Sequence, residues 1–242
     1  MYEERLCGEF STVHFQAVKA KACAVGSGAS GVVFLINDFY SLISRSRKLR
    51  QIMEELLSTE REYVKALGYV REHYFPELER ADVPQDLRGQ RGSVFGNLEK
   101  LQDFHQHHFL SELESCVNEP FRVGRCFLRH RESFALYQYK TLVDWFLGPQ
   151  QKQLKLGDKM DLWSYLLKPV QRISKYSLLL QDIQRECGPG QAREMAEVRA
   201  ALEVIHFQLR HGNNLLAMDA IQSCHRFSIG FRSGHCLGHS NT

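Results

Sequence analysis

From Ser46 onward the apolar positions of the chain fall at three- and four-residue steps. Leu49, Ile52, Met53, Leu56, Leu57, Tyr63, Val64, Leu67 and Val70 form one stripe, with Glu and Arg filling the opposite face. That pattern predicts a long amphipathic helix, ended by Pro76 and the stretch from Ala81 to Pro84. A second helical stretch is expected from about Val94 to Cys116, with Phe95, Leu98, Leu101, Phe104, Phe109, Leu110 and Leu113 inward. Gly92-Ser93 starts it, and Asn118 and Pro120 stop it. A third, from about Phe121 to Leu147, carries Val123, Phe127, Leu128, Phe134, Leu136 and Tyr137 and breaks at Gly148-Pro149. Gln150 to Asp158 is polar and reads as a short helix or loop. Asp161 to Cys187 has the strongest helical period, through Leu162, Tyr165, Leu166, Val170, Ile173, Tyr176, Leu179, Leu180 and Ile183. Pro169 inside it is expected to kink the helix, because it removes one hydrogen bond of the ladder. Gly188-Pro189-Gly190 is a stop. A last helix begins near Gln191, with Val198, Leu202, Ile205, Leu209, Leu215, Leu216 and Ile221 on its stripe. Long helices, short connectors and no credible sheet predict an all-α fold, an elongated helical bundle.

The two ends read differently. Residues 1–45 form a poorly defined leader. In it, Ala24 to Gly31 is rich in small residues, and Val32 to Tyr40 is an apolar burst that reads as a candidate strand without a pairing partner. The glycine-rich piece lacks the Gly-Lys-Ser/Thr ending of a phosphate-binding loop. Residues 225–242 hold three Gly and three His without a helical period and read as a flexible tail.

Composition narrows the function classes. The 242-residue chain is 43% hydrophobic and 24% charged, enough apolar matter to fill a core. A formal charge of only +3 lacks the global signature of a nucleic-acid binder. Seven cysteines, an odd number, occur without a Cys-x-x-Cys pair, so reduced thiols and a cytoplasmic location are expected. The leader lacks a signal-peptide pattern, and its apolar run from Gly31 to Ile36 is too short to span a membrane. Classical catalytic motifs are missing: neither Gly-x-Ser-x-Gly nor His-Glu-x-x-His occurs. His105, His107 and His108 lack the neighbouring ligands of a zinc site and read as a solvated helix face. Cys224, His235, Cys236 and His239 match no standard metal spacing. No catalytic residue, metal or cofactor is therefore assigned.

The segment Ser164 to Leu180 asks for more than a solvated face. Lys168, Arg172 and Lys175 make a cationic stripe beside the apolar one, interrupted by Pro169. Tyr165-Leu-Leu-Lys-Pro-Val-Gln-Arg172, followed by Lys175-Tyr176 and Leu178-Leu179-Leu180, resembles the signature helix of the Dbl-homology domains of Rho guanine nucleotide exchange factors. Glu55-Leu-Leu-Ser-Thr-Glu60 with Tyr63-Val64, Phe95-Gly-Asn97 and Asn213 resemble that family's other motifs, in the expected order. The resemblance covers about Arg47 to Cys224, within an expected domain of 46–224, and is nearest to the puratrophin-like exchange factors of the pleckstrin-domain family G group.

The resemblance implies a protein that does no covalent chemistry. It would release GDP from a Rho-family small GTPase by binding the two switch segments that hold nucleotide and Mg²⁺. It further implies that Glu55 contacts switch I and that Lys175 and Asn213 grip switch II. Leu167, with Lys168 and Gln171 beside it, would meet the GTPase. Leucine at 167 leans toward Rho or Cdc-type partners over Rac. Glu60 and Arg172 belong to the same motifs but lie close to the apolar stripes, and an interior ion pair between their helices is expected.

Two departures keep a second reading open. The 138–160 connector is shorter than the family pattern, and Asp144-Trp-Phe-Leu-Gly-Pro149 is unlike it. No β-rich segment suited to a pleckstrin-homology domain follows Cys224, so no direct membrane binding is inferred. The alternative is a catalytically inactive helical interaction module.

Overall fold

The computed structural model describes residues 29–81, 83, 85, 88, 89, 91–138, 149–188 and 190–211. The chain divides into two units, Met1–Gln51 and Ile52–Thr242. Helix α1 (Ala29–His73) runs through the end of the first and the start of the second. The candidate strand at Val32 to Tyr40 is thus helix. No Gly or Pro occurs from Val32 to Leu67, so nothing interrupts propagation once the amphipathic part has nucleated. Apolar β-branched residues in a short run carry no periodicity of their own and adopt the state of their neighbours.

In the second unit α1 is followed by a 3₁₀ turn (Phe75–Glu79), α2 (Arg91–Phe95) and a long interrupted helix. That helix consists of α3 (Leu98–Phe104), one π-helical turn (His105–Phe109) and α4 (Leu110–Ser115). The Leu110 N–H bonds the carbonyl of His105, five residues back. The wide turn lets Phe104, His105, Phe109 and Leu113 all face inward, each at most 6% exposed. A 3₁₀ turn (Pro120–Arg122), α5 (Val123–Arg129), another 3₁₀ segment (Ser133–Gln138), α6 (Pro149–Leu156), α7 (Leu162–Leu166), α8 (Lys168–Glu186) and α9 (192–211) complete the unit. The described residues contain no strand, and none of their helices is long and apolar enough to cross a membrane. Asn213 and residues 225–242 lie outside the described residues.

Two zones of core hold these helices. One joins Leu67, Val70, Tyr74, Phe75, Leu78, Phe95, Leu98, Leu162 and Leu166. The other is aromatic: Phe104, Phe109, Phe127, Phe134 and Tyr176 meet edge-on, stacked or tilted, with ring centroids 5.0–5.9 Å apart, distances at which such pairs add to plain area burial.

Pro169 does not kink a continuous helix but opens a new one. Asp161 caps α7 by accepting from the Ser164 N–H at 2.8 Å. Leu167 forms the turn, and Pro169 sits in the first turn of α8, where its missing N–H is no loss. The Leu167 N–H to Trp163 carbonyl bond (3.0 Å) and the Gln171 N–H to Leu167 carbonyl bond (3.1 Å) carry the ladder across the junction.

α5 approaches α9 at Gly124, where a Cβ would stand 2.8 Å from the Glu197 carbonyl carbon and the Val198 nitrogen. Those are backbone atoms and cannot swing away. Gly124→Ala should therefore lower stability by about 1–3 kcal/mol through overpacking. Gly92→Ala, with nothing within 4 Å, should be neutral. Thermal melts of both variants check this; equal melting temperatures would show that the α5–α9 contact yields without cost.

Candidate functional site

The site is built on a buried polar cluster between α1 and α8. Arg172 projects from α8 into the bundle, 4% exposed, and meets Glu60 of α1, fully buried. Its Nη2 stands 2.6 Å and its Nε 2.8 Å from Glu60 Oε2. Nη1 donates to Thr59 Oγ1 at 2.6 Å, and Nη2 also donates to the Leu56 carbonyl at 3.1 Å. The Tyr176 hydroxyl donates to Glu60 Oε2 at 2.5 Å, and its ring lies 4.3 Å from the guanidinium carbon. His105 closes the cluster from the π turn, with Nδ1 donating to Glu60 Oε1 at 2.6 Å and Nε2 paired with the Tyr137 hydroxyl at 2.8 Å. Tyr137 in turn reaches the Tyr63 hydroxyl at 3.3 Å.

Such a cluster is stable only when complete, because each buried charge loses its water. Burial pushes the Glu60 carboxyl up. The charge and hydrogen bond of His105, the charge of Arg172 and the Tyr176 hydroxyl outweigh it and hold the group below its ordinary value. A depressed carboxyl contributes stability above the unfolded-state pKa that is lost as pH falls through the folded one. Burial pushes Tyr63, Tyr137 and Tyr176 well up, so they remain neutral donors and acceptors.

The solvent side of the same two helices carries the other candidates. Glu55 of α1 and Lys175 of α8 form an exposed ion pair. Thr59, which accepts from Arg172, donates to the Glu55 carbonyl at 2.7 Å, so the buried cluster holds the backbone that presents Glu55. Gln171 is exposed. Lys168 is half-buried, its ammonium 5.9 Å from the centre of the Tyr165 ring. Leu167 is 39% exposed and has company: Trp163 (48%), Val170 (49%) and Leu178 (57%). These recur at four-, three- and eight-residue steps through α7, the Leu167 turn and α8, which puts them on the side turned away from the core, with Leu178 one turn beyond Lys175.

Residues 52–213 match the RhoGEF domain family. The chain belongs to that family. This RhoGEF domain is 56% identical over 191 residues to human pleckstrin homology domain-containing family G member 4B, a match that takes in 74% of this chain and 12% of that protein. It is 54% identical over 187 residues to human puratrophin-1, covering 73% of this chain and 16% of that protein. The chain thus spans less than a fifth of the length of either relative. Among solved structures, Vav1 aligns with a TM-score of 0.63 at 23% identity, over 76% of this chain and 51% of that one. The DH domain of FARP2 aligns with a TM-score of 0.53 at 23% identity, over 72% of this chain and 96% of that one. Both show the fold, an all-α bundle of the Dbl-homology type.

Three features escaped the reading of the sequence. His105 is not on a solvated face but fully buried, although His107 and His108 are exposed. Its position directly after Phe104 and four before Phe109 on an apolar face was the available signal. Val170, counted with the core period, is exposed because it stands about a third of a turn away from Tyr176, at the centre of the buried stripe of α8. Trp163 joined no motif, yet it begins the uncovered face. Asn213 falls outside the described residues, so its distance to Glu55 and Lys175 is not part of this geometry.

Removing one member of the buried pair strands the other. Arg172→Ala and Glu60→Ala should each cost about 3–5 kcal/mol. The double variant should cost well under the sum, since the second removal relieves the stranded charge. Denaturant titration of the cycle tests this, and additive losses would show that the two side chains contribute independently.

Proposed function

We propose that the domain accelerates GDP release from a Rho-family small GTPase, binding the nucleotide-free form better than the nucleotide-bound one. By linkage, that preference weakens GDP binding by the same factor. One observation carries the reading: an exposed apolar face on α7 and α8 runs beside an accessible ion pair, Glu55–Lys175, on a framework held rigidly from beneath. Family membership supports it, as do relatives named as exchange factors. Rat guanine nucleotide exchange factor DBS is 41% identical over 150 residues, and human Rho guanine nucleotide exchange factor 25 is 30% identical over 181.

In this reading Glu55 accepts hydrogen bonds from switch I. Lys175, a mobile charge with three donors, engages switch II together with Asn213. Leu167, flanked by Lys168 and Gln171, meets the core of the GTPase and favours Rho or Cdc-type partners over Rac. The domain then works in the cytoplasm, where such GTPases meet their nucleotide. The inactive-module alternative rests on the short connector. The described part of that connector is tied in: Lys152 bonds Glu77 at 2.7 Å, Asp158 accepts from the Met160 N–H and the Tyr165 hydroxyl at 2.9 Å each, and Leu156 and Met160 pack on the core. This favours a working scaffold.

Lys175→Ala should slow release of a fluorescent GDP analogue from Rho or Cdc-type proteins at least roughly tenfold. It should leave circular dichroism unchanged and the melting temperature nearly so, because an exposed pair contributes only about 0–1 kcal/mol. Full exchange activity in this variant would remove Lys175 from the interface.

Leu167→Ile moves one methyl group on the uncovered face. Overpacking against a partner side chain costs about 1–3 kcal/mol, roughly a five- to hundredfold change in rate. The variant should shift relative activity toward Rac while total activity survives. Assays on purified Rho, Rac and Cdc-type proteins decide it; a wild-type preference for Rac would overturn the partner assignment.

A further inference from the structure

The α4–α5 corner contains two thiols that the exchange reading does not use. Cys116 ends α4 and Cys126 lies in α5, and both are buried, 4% and 6% exposed. Their Sγ atoms stand 3.1 Å apart, closer than two non-bonded sulfurs ordinarily approach. A disulfide needs about 2.05 Å, so each sulfur has roughly half an ångström to travel. We propose that Cys116 and Cys126 form a dithiol oxidation site that hydrogen peroxide or a similar small peroxide converts to an intramolecular disulfide joining α4 to α5.

The surroundings assign the two roles. Cys116 has the Cys126 S–H, the Ser115 hydroxyl at 4.0 Å and the charge of Arg122 turned toward its sulfur. The Cys126 thiol leads these effects. Against the opposing push of burial, they lower Cys116 to about 7. Cys126, hydrogen-bonded to Cys116 and buried, is pushed up and keeps its proton, which it can also direct to the Glu112 carbonyl at 3.5 Å. Cys116 is therefore the attacking thiolate and Cys126 the resolving thiol. In the first step the Cys116 thiolate attacks one peroxide oxygen. The S–O bond forms, the O–O bond breaks, hydroxide leaves and Cys116 becomes a sulfenic acid. In the second, Cys126 gives its proton to that hydroxide and its sulfur attacks Cys116. The S–S bond forms and the S–O bond breaks, and the departing hydroxide takes up the proton that Cys116 lost on ionising. Two thiols and one peroxide become one disulfide and two waters.

Access is through the turn that follows Cys116. Val117, Asn118 and Glu119 are exposed, Val117 by 44%, so a small oxidant needs only a local opening of a helix end. The bond would close a short loop and tie the corner to the part of α5 that abuts α9 at Gly124, which constrains the unfolded chain. Cys187, half-buried and without a thiol partner among the described residues, has its thiol pushed up by burial. It is the internal comparison.

The test uses the full reduced chain, treated with hydrogen peroxide, alkylated and digested with trypsin, which cuts at Arg122 and Arg125 between the two cysteines. The expected product is a peptide linking Cys116 to Cys126, formed before Cys187 is modified and reversed by dithiothreitol. The oxidised chain should melt roughly 5 °C higher than the reduced one. In Cys126→Ser a dimedone-trapped sulfenic acid should accumulate on Cys116 instead. Should that variant fail to fold, the wild-type peptide map decides alone. Both thiols remaining alkylatable after Cys187 is oxidised, sulfinic acids without a link, or links to other cysteines of the chain would each overturn the proposal.

Discussion

The mutual placement of α1, α8 and the π turn depends on one buried guanidinium. Arg172 is almost wholly removed from water, and an unpaired charge in that place would cost several kcal/mol. It is tolerated because four of its N–H···O contacts are made, to Glu60, Thr59 and the Leu56 carbonyl. Glu60 is tolerated because its two oxygens receive His105, Tyr176 and both arms of Arg172, about the full capacity of a carboxylate. The condition is strict in geometry. It fixes the rotation of α8, the register of α1 and the position of the π turn together, since a slide of any one leaves a polar group buried and unpaired.

That constraint reaches the surface in two short steps. Thr59 passes the grip of Arg172 to the Glu55 carbonyl, one helical turn toward the N-terminus of α1. On α8, Lys175 is three residues beyond Arg172 and emerges beside Glu55. The exposed pair is placed by the buried one, and the apolar face from Trp163 to Leu178 shares the rotation of α8 that the buried pair sets.

The helices themselves were legible because burial on one face writes a 3.6-residue period, and Leu56, Leu67, Leu98, Phe127, Ile173 and Val198 are buried as that period requires. The long motif around Tyr165 to Arg172 made the family legible as well. What escaped depended on local geometry that no period records. The π turn adds a residue to one turn and brings His105 inside. Val170 stands about a third of a turn off the buried stripe of α8, too far for a tolerant apolar count to place it. The closeness of Cys116 to Cys126, ten residues apart in sequence and unmarked by any motif, arises from how the chain turns back from α4 into α5. Val32 to Tyr40 was misread for the opposite reason: a short apolar burst has no period to measure, and the absence of Gly and Pro after it was the better guide.

The division between a stiff interior pair and an exchangeable exterior one suits the proposed reaction. An exchange factor must grip its partner in one nucleotide state and release it in the next, so its contacts cannot be expensive to remake. Glu55 and Lys175 satisfy each other in solvent, where a screened pair contributes about 0–1 kcal/mol, and a partner can replace each member at little cost. The apolar face gains by being covered, at roughly 25 cal/mol per Å², without any group having to be unpaired first. Had the charged contact been buried as deeply as Arg172 and Glu60, opening it would have cost several kcal/mol and slowed each cycle of binding and release. The fold places its unalterable electrostatics one helical layer below the surface and leaves the alterable ones where a partner can reach them.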